Sequence, residues 1–106
     1  MANRRLWIGG AAMTLLALCA LTACNWPALQ ARAGLGTAVG ARVACSCRYV
    51  EGRDMASCRT DKEPGMALIA LTDHPDEKMV EASAPLLASR SARYRPGWGC
   101  LLDPVR

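Results

Sequence analysis

The chain is short of the groups that most enzymes and nucleic-acid binders need. It has one histidine, His74, which stands in a polar stretch between Asp73 and Asp76 with no nucleophile close in sequence. A surface residue is therefore the reading, rather than a catalytic base. Net charge is small: 13 basic residues face 9 acidic ones, and two of the basic ones, Arg4 and Arg5, belong to the leading segment. The basic residues are scattered among acidic ones, which excludes the clustered stripe that nucleic acid requires. There are no internal repeats, so a repeat architecture is excluded as well.

Residues 6–23 also lack charge entirely, and here the absence is the signal. A basic tip, an apolar run and a boundary of small residues form the layout of a bacterial secretory signal. Leu21, Thr22, Ala23 and Cys24 resemble a lipobox, which implies that Cys24 is lipidated and becomes the first mature residue. Asn25 in the second position implies no acidic retention signal, so an outer-membrane location on the periplasmic side is expected. Eighteen uncharged residues also suit an uncleaved transmembrane anchor. The glycines, the alanines and the cysteine at the boundary favour cleavage. The adjacent Arg4 and Arg5 are the ordinary content of a signal and point only weakly to twin-arginine export.

Cleavage divides the chain into a signal (1–23), a tether (24–27) and one domain (28–106) of a size at which a hydrophobic core alone is marginal. Four of the six cysteines, Cys45, Cys47, Cys58 and Cys100, fall in that domain. An even set in a short exported chain reads as a disulfide framework with three possible connectivities. A metal site built on the Cys45-x-Cys47 pair is the rival. The spacing to Cys58 and Cys100 fits no compact zinc knuckle, so no metal and no cofactor are expected.

Along the domain, residues 28–44 are rich in alanine and carry Leu35, Val39 and Val43 at steps of four, on one helical face. Pro27 suits a position at or before the first turn. Gly36 and Gly40 form a small-xxx-small pair, read as close packing of the helix on the domain. Residues 43–50, dense in cysteine, tyrosine and valine, read as a strand that ends in turn chemistry at Glu51, Gly52, Arg53 and Asp54. Asp54 can cap a short helix over 55–59. A polar loop follows over 61–65. Residues 66–72 and 79–84 then read as a hairpin around the turn at 73–78. A further strand covers 88–95, and Pro96 with Gly97 suits a type II turn back into 100–102. The fold class expected is α+β: one helix with a small antiparallel sheet of about four strands, disulfide-stapled. On a strand, Cys45 and Cys47 point to the same face and cannot comfortably bridge each other, so each partner lies elsewhere. Tyr94 and Trp98 read as a lid on the core, and Trp26 as a residue of the membrane interface.

Cys45 followed by Tyr49, Val50, Gly52, Arg53 and Asp54, and later Ala92, Arg93, Tyr94, Arg95, Pro96, Gly97, Gly99 and Cys100, resembles the leader region of exported serine hydrolases related to β-lactamases. The resemblance covers roughly residues 43–102. Those enzymes continue into a Ser-x-x-Lys nucleophile motif. None of Ser46, Ser57, Ser83, Ser89 or Ser91 is followed three residues later by lysine, and the chain ends at Arg106. The resemblance thus implies a leader module standing alone, without the activity. It also implies a pairing. Each shared motif retains one cysteine, which joins Cys45 to Cys100. Cys47 stands where the leader pattern has glycine, and it takes Cys58 as its added partner.

The function expected is that of a small envelope lipoprotein, not an enzyme, held to the membrane through Cys24 and binding or supporting an envelope protein partner. The alternative is an amidase or serine hydrolase accessory whose active site is completed by another chain. A periplasmic metal carrier is a third reading, and it would require free thiols.

Overall fold

The computed structural model describes residues 2–62 and 64–104; Glu63 of the expected polar loop and residues 105 and 106 of the expected domain lie outside them. Helix α1 spans Ala2–Cys45, and Ser46–Val50 continue it as a π-turn. Then come α2 (Met55–Arg59), β1 (Ala70–His74), a 3-10 turn (Pro75–Glu77), β2 (Met79–Ala84), β3 (Ala88–Arg95) and β4 (Gly99–Leu102). The four strands form one antiparallel sheet in chain order. This is the expected α+β class, with one long helix against a four-stranded sheet.

Runs of alanine and leucine favour helix throughout α1, and its 44 residues rise about 66 Å, which accounts for the 69 Å long axis of the molecule. The helix passes through residues 24–27, where the sequence suggested a tether. Pro27 is therefore interior to the helix rather than at its start. Residues 2–25 are exposed, whereas Thr37, Gly40, Ala41, Ala44 and Cys45 are buried against the sheet. Leu35, Val39 and Val43 share a face, as their spacing requires, but that face is exposed. The side that meets the sheet is lined by small residues, which bring the helix backbone close to the strands. A Cβ added at Gly40 would lie 3.7 Å from Ala82 Cβ and 3.7 Å from Ile69 Cγ2.

Strand register decides what the helix meets. Leu71 pairs with Ala82, while Val80 pairs with both Asp73 and Ala92, and Ala92 pairs with Leu102. Alternation puts all of these on the helix-facing side. Thr37, fully buried, donates its hydroxyl to the carbonyl of Gly34 at 3.0 Å, so its own polar group is paired.

Two boundaries differ from the sequence reading. Residues 43–50 form no strand: Ala44 and Cys45 bury themselves as the last turn of α1, and the Glu51 amide donates to the Ser46 carbonyl at 2.9 Å to close the π-turn. β-rich composition is a weak preference that packing overrides here. The first hairpin strand also starts later than read, because Ile69 donates its amide to the Met66 carbonyl at 3.0 Å in a turn that places its side chain under Gly36. Strand β1 then runs on to His74, paired with Met79, and Lys78 closes the connection in the left-handed region (φ 48°).

Candidate functional site

Three places carry the chemistry of this chain: the exposed half of α1, the crosslinked corner at its C-terminal end, and the outer face of the sheet.

In the exposed half, Cys19 and Cys24 are both free and accessible thiols. The segment is long and apolar enough to cross a membrane, and none of its apolar window is buried in the domain. Near Cys24, Asn25 donates its side-chain amide to the Leu21 carbonyl at 2.7 Å and Thr22 its hydroxyl to Leu18 at 2.8 Å. Proline has no amide hydrogen, so Pro27 offers no donor to the carbonyl of Ala23 four residues earlier. That carbonyl belongs to the Ala23–Cys24 peptide bond.

At the corner, Cys45 is bonded to Cys100 and Cys47 to Cys58, the pairing implied by the resemblance. The geometry behind it is not that of a strand. Two residues apart on a helix, Cys45 and Cys47 point in nearly opposite directions. One reaches β4 on the sheet side and the other reaches α2. All four sulfur-bearing residues are buried.

A polar clasp lies beside the bridges. Asp73 accepts a hydrogen bond from the Tyr49 hydroxyl and another from Arg48 Nε at 3.3 Å, and the Arg48 guanidinium lies 5.4 Å from the Tyr49 ring centroid. Burial, then the hydrogen bond to the negatively charged Asp73, push the Tyr49 phenol up to about 12, with Arg48 opposing. Most residues of the two sequence motifs have roles in this fold. Gly52 takes φ 75°, Arg53 binds Asp61 and Ser57, and Asp54 accepts the Ser57 amide at 2.8 Å as the cap of α2. Gly97 and Gly99 take φ 83° and 81° around the last turn. A side chain at any of these glycines would be strained.

The outer face of the sheet is polar. His74 Nε2 lies 4.0 Å from Glu81 Oε2 and has no hydrogen-bond partner among the described residues. Ser89 donates its hydroxyl to Glu81 Oε1 at 3.3 Å. Both contacts converge on the carboxylate, and the serine hydroxyl bonds to it rather than to the imidazole. A relay needs the reverse order, with the imidazole between hydroxyl and carboxylate. Arg93 gathers Glu77 at 3.4 Å and Asp103 at 3.3 Å, and its guanidinium is held charged more firmly chiefly by the hydrogen bond to Asp103. The arrangement neutralises surface carboxylates. Among the described residues no three His, Cys, Asp or Glu side chains converge as a metal site would require. Trp98 is exposed and lids nothing, whereas Tyr94 packs on the core.

The sequence offered no pointer to Asp73 as a partner of Arg48 and Tyr49, which lie 25 and 24 residues away. Neither family models, curated proteins nor solved structures match this chain.

Proposed function

We propose that this protein is an exported envelope lipoprotein, anchored at its N-terminal side and carrying a non-catalytic, disulfide-locked α+β domain that serves a partner at the membrane surface. One observation carries the reading: a fully exposed apolar helix leads directly into a domain fastened by two disulfides. Such an apolar surface has no place in water, and such bridges persist in oxidising compartments. Lipid on Cys24 and an outer-membrane address follow from the lipobox-like residues 21–24 and from Asn25.

The test is mass spectrometry of the protein recovered from bacterial envelopes. A mature chain that begins at Cys24 and bears diacylglyceryl and acyl mass is expected, and Cys24→Ser should leave the leading segment attached. An unmodified N-terminus elsewhere, or an intact wild-type precursor, would sink the lipid claim; the latter would indicate a transmembrane anchor.

The accessory reading, in which a hydrolase completes its active site with this domain, draws its support from the two motifs spanning Cys45 to Asp54 and Ala92 to Cys100. Copurification of a serine hydrolase whose turnover depends on this domain would favour it. The purified protein alone is expected to turn over no ester or amide. Covalent labelling by a serine-reactive probe, abolished by a single Ser→Ala change, would overturn that expectation.

A further inference from the structure

The two ends of the sheet differ in chemistry. One end carries the turn of Asp76, Glu77 and Lys78 and the turn after Arg95. The other is formed where Ala70 pairs with Ser83 and Ala84 pairs with Ala88. The chain segments that form its turns, 66–71 and 82–89, contain no charged residue, Arg90 opposite Ala82 being the first charge back along β3, and the end is called uncharged for these segments. Beyond that end project Leu68, 83% exposed, and Leu86, 92% exposed. Leucine at the tip of the β2–β3 turn is held at φ 63°, a left-handed conformation that glycine or asparagine adopts with less strain. Folding of the domain does not explain a leucine that is strained and also unburied.

Helix α1 supplies the direction. Gly40 lies against Ala82 and Leu71, and Gly36, one turn earlier, lies against Ile69. Continuing toward the N-terminus, the helix therefore leaves the domain at its uncharged end. It next presents the exposed Arg32, then Leu29 and Trp26. Six residues separate Arg32 from Trp26, about 9 Å of helix, against a headgroup layer about 5–7 Å thick in each leaflet. A modest tilt of the helix brings the turn tips to the bilayer.

We infer that the uncharged end of the domain is a bilayer-contact surface: Leu68 and Leu86 enter the interface of the membrane that holds α1, and Arg32 meets the lipid phosphates. This rests on the proposed anchoring at the N-terminal side, and it holds for a lipidated Cys24 and for a spanning helix alike. Two apolar tips, one basic side chain and an anchor at the same end give the domain a fixed orientation, with its charged end turned to water.

The experiment uses the full chain, methyl-labelled at leucine and valine, in nanodiscs of phosphatidylcholine and phosphatidylglycerol doped with nitroxide-bearing lipid. Signals of Leu68 and Leu86 should lose most of their intensity, as Leu29 does, while those of Val50 and Leu101 persist. In Leu86→Asn, a residue suited to the left-handed turn, the loss at Leu68 should weaken several-fold with Leu29 unchanged. If Leu29 is quenched while Leu68 and Leu86 behave like Leu101, the domain stands off the bilayer and the inference fails with anchoring intact. If Leu29 also escapes quenching, anchoring itself fails, and the contact surface with it.

Discussion

A Cβ placed on Gly36 would stand 3.0 Å from Cδ1 of Ile69, whereas one placed on Gly40 would meet its nearest neighbours at 3.7 Å. The two glycines of the small-xxx-small pair thus differ in how much room they have. Gly40→Ala fits, and alanine is favoured over glycine within a helix by about 1 kcal/mol, so this variant is expected to be more stable by up to about that amount. Gly36→Val adds bulk where Ile69 already presses, and a loss of about 1–3 kcal/mol is expected. Chemical denaturation of the full chain in detergent checks both. A destabilised Gly40→Ala would show that the helix sits closer to β2 than described.

The two bridges close loops of very different length, 55 residues for Cys45–Cys100 and 11 for Cys47–Cys58. Chain-entropy reasoning assigns about 4 kcal/mol to the long loop and about 3 to the short one. Both are large beside the net stability of a domain whose core is built mainly from alanine and cysteine. The double variant Cys45→Ala/Cys100→Ala should therefore unfold at lower denaturant than Cys47→Ala/Cys58→Ala. The opposite order would mean that the short bridge is needed to hold α2 and the π-turn together.

Tyr49 ties stability to alkaline pH. Its phenol is raised in the folded protein from 10 to about 12, so between those values the unfolded chain gives up a proton that the folded one keeps. The contribution is complete below pH 10 and is lost as pH rises through about 12. Tyr49→Phe should abolish that part of the alkaline decline. It should also cost about 1–2 kcal/mol at neutral pH, because Asp73 loses one of its two donors. Denaturation profiles of both proteins, with free thiols blocked, make the comparison. An unchanged alkaline slope in Tyr49→Phe would remove the clasp as its cause.

Strands β2 and β3, the Asp54 cap and the turn at Gly97 were legible because each depends on neighbours in sequence: alternation, a side-chain oxygen three residues ahead of its amide, a glycine after proline. Residues 46–50 were not, since tyrosine, valine and cysteine carry the composition of a strand. They stay helical because Cys45 is held to β4 and Tyr49 to Asp73, contacts made across 55 and 24 residues. The face of α1 was hidden for a related reason. Its apolar stripe, Leu35, Val39 and Val43, is the visible pattern, yet Gly36, Gly40, Ala41 and Ala44 pack on the sheet because small side chains let backbone and strands approach. Of the candidate site, the long apolar segment and the place of Cys24 within it could be read from local order alone. The Asp73 clasp and the uncharged end of the sheet exist only once distant segments are paired.

Pro27 carries the last prediction, which concerns processing at Cys24. If Cys24 is processed as proposed, a protease must draw the Ala23–Cys24 bond out of the helix before cutting it, and the cost is set by the hydrogen bonds that hold that turn. Pro27 removes the donor that Ala23 would otherwise have and disfavours helical geometry at Trp26. Alanine in its place would stabilise the turn by about 3 kcal/mol. Pro27→Ala should therefore mature several-fold more slowly than the native chain in a pulse-chase experiment. Pro27→Gly, which restores the amide but favours helix weakly, should fall between the two. Equal rates for all three would show that unwinding here does not limit cleavage, whereas a native chain that never matures would instead contradict the lipoprotein reading.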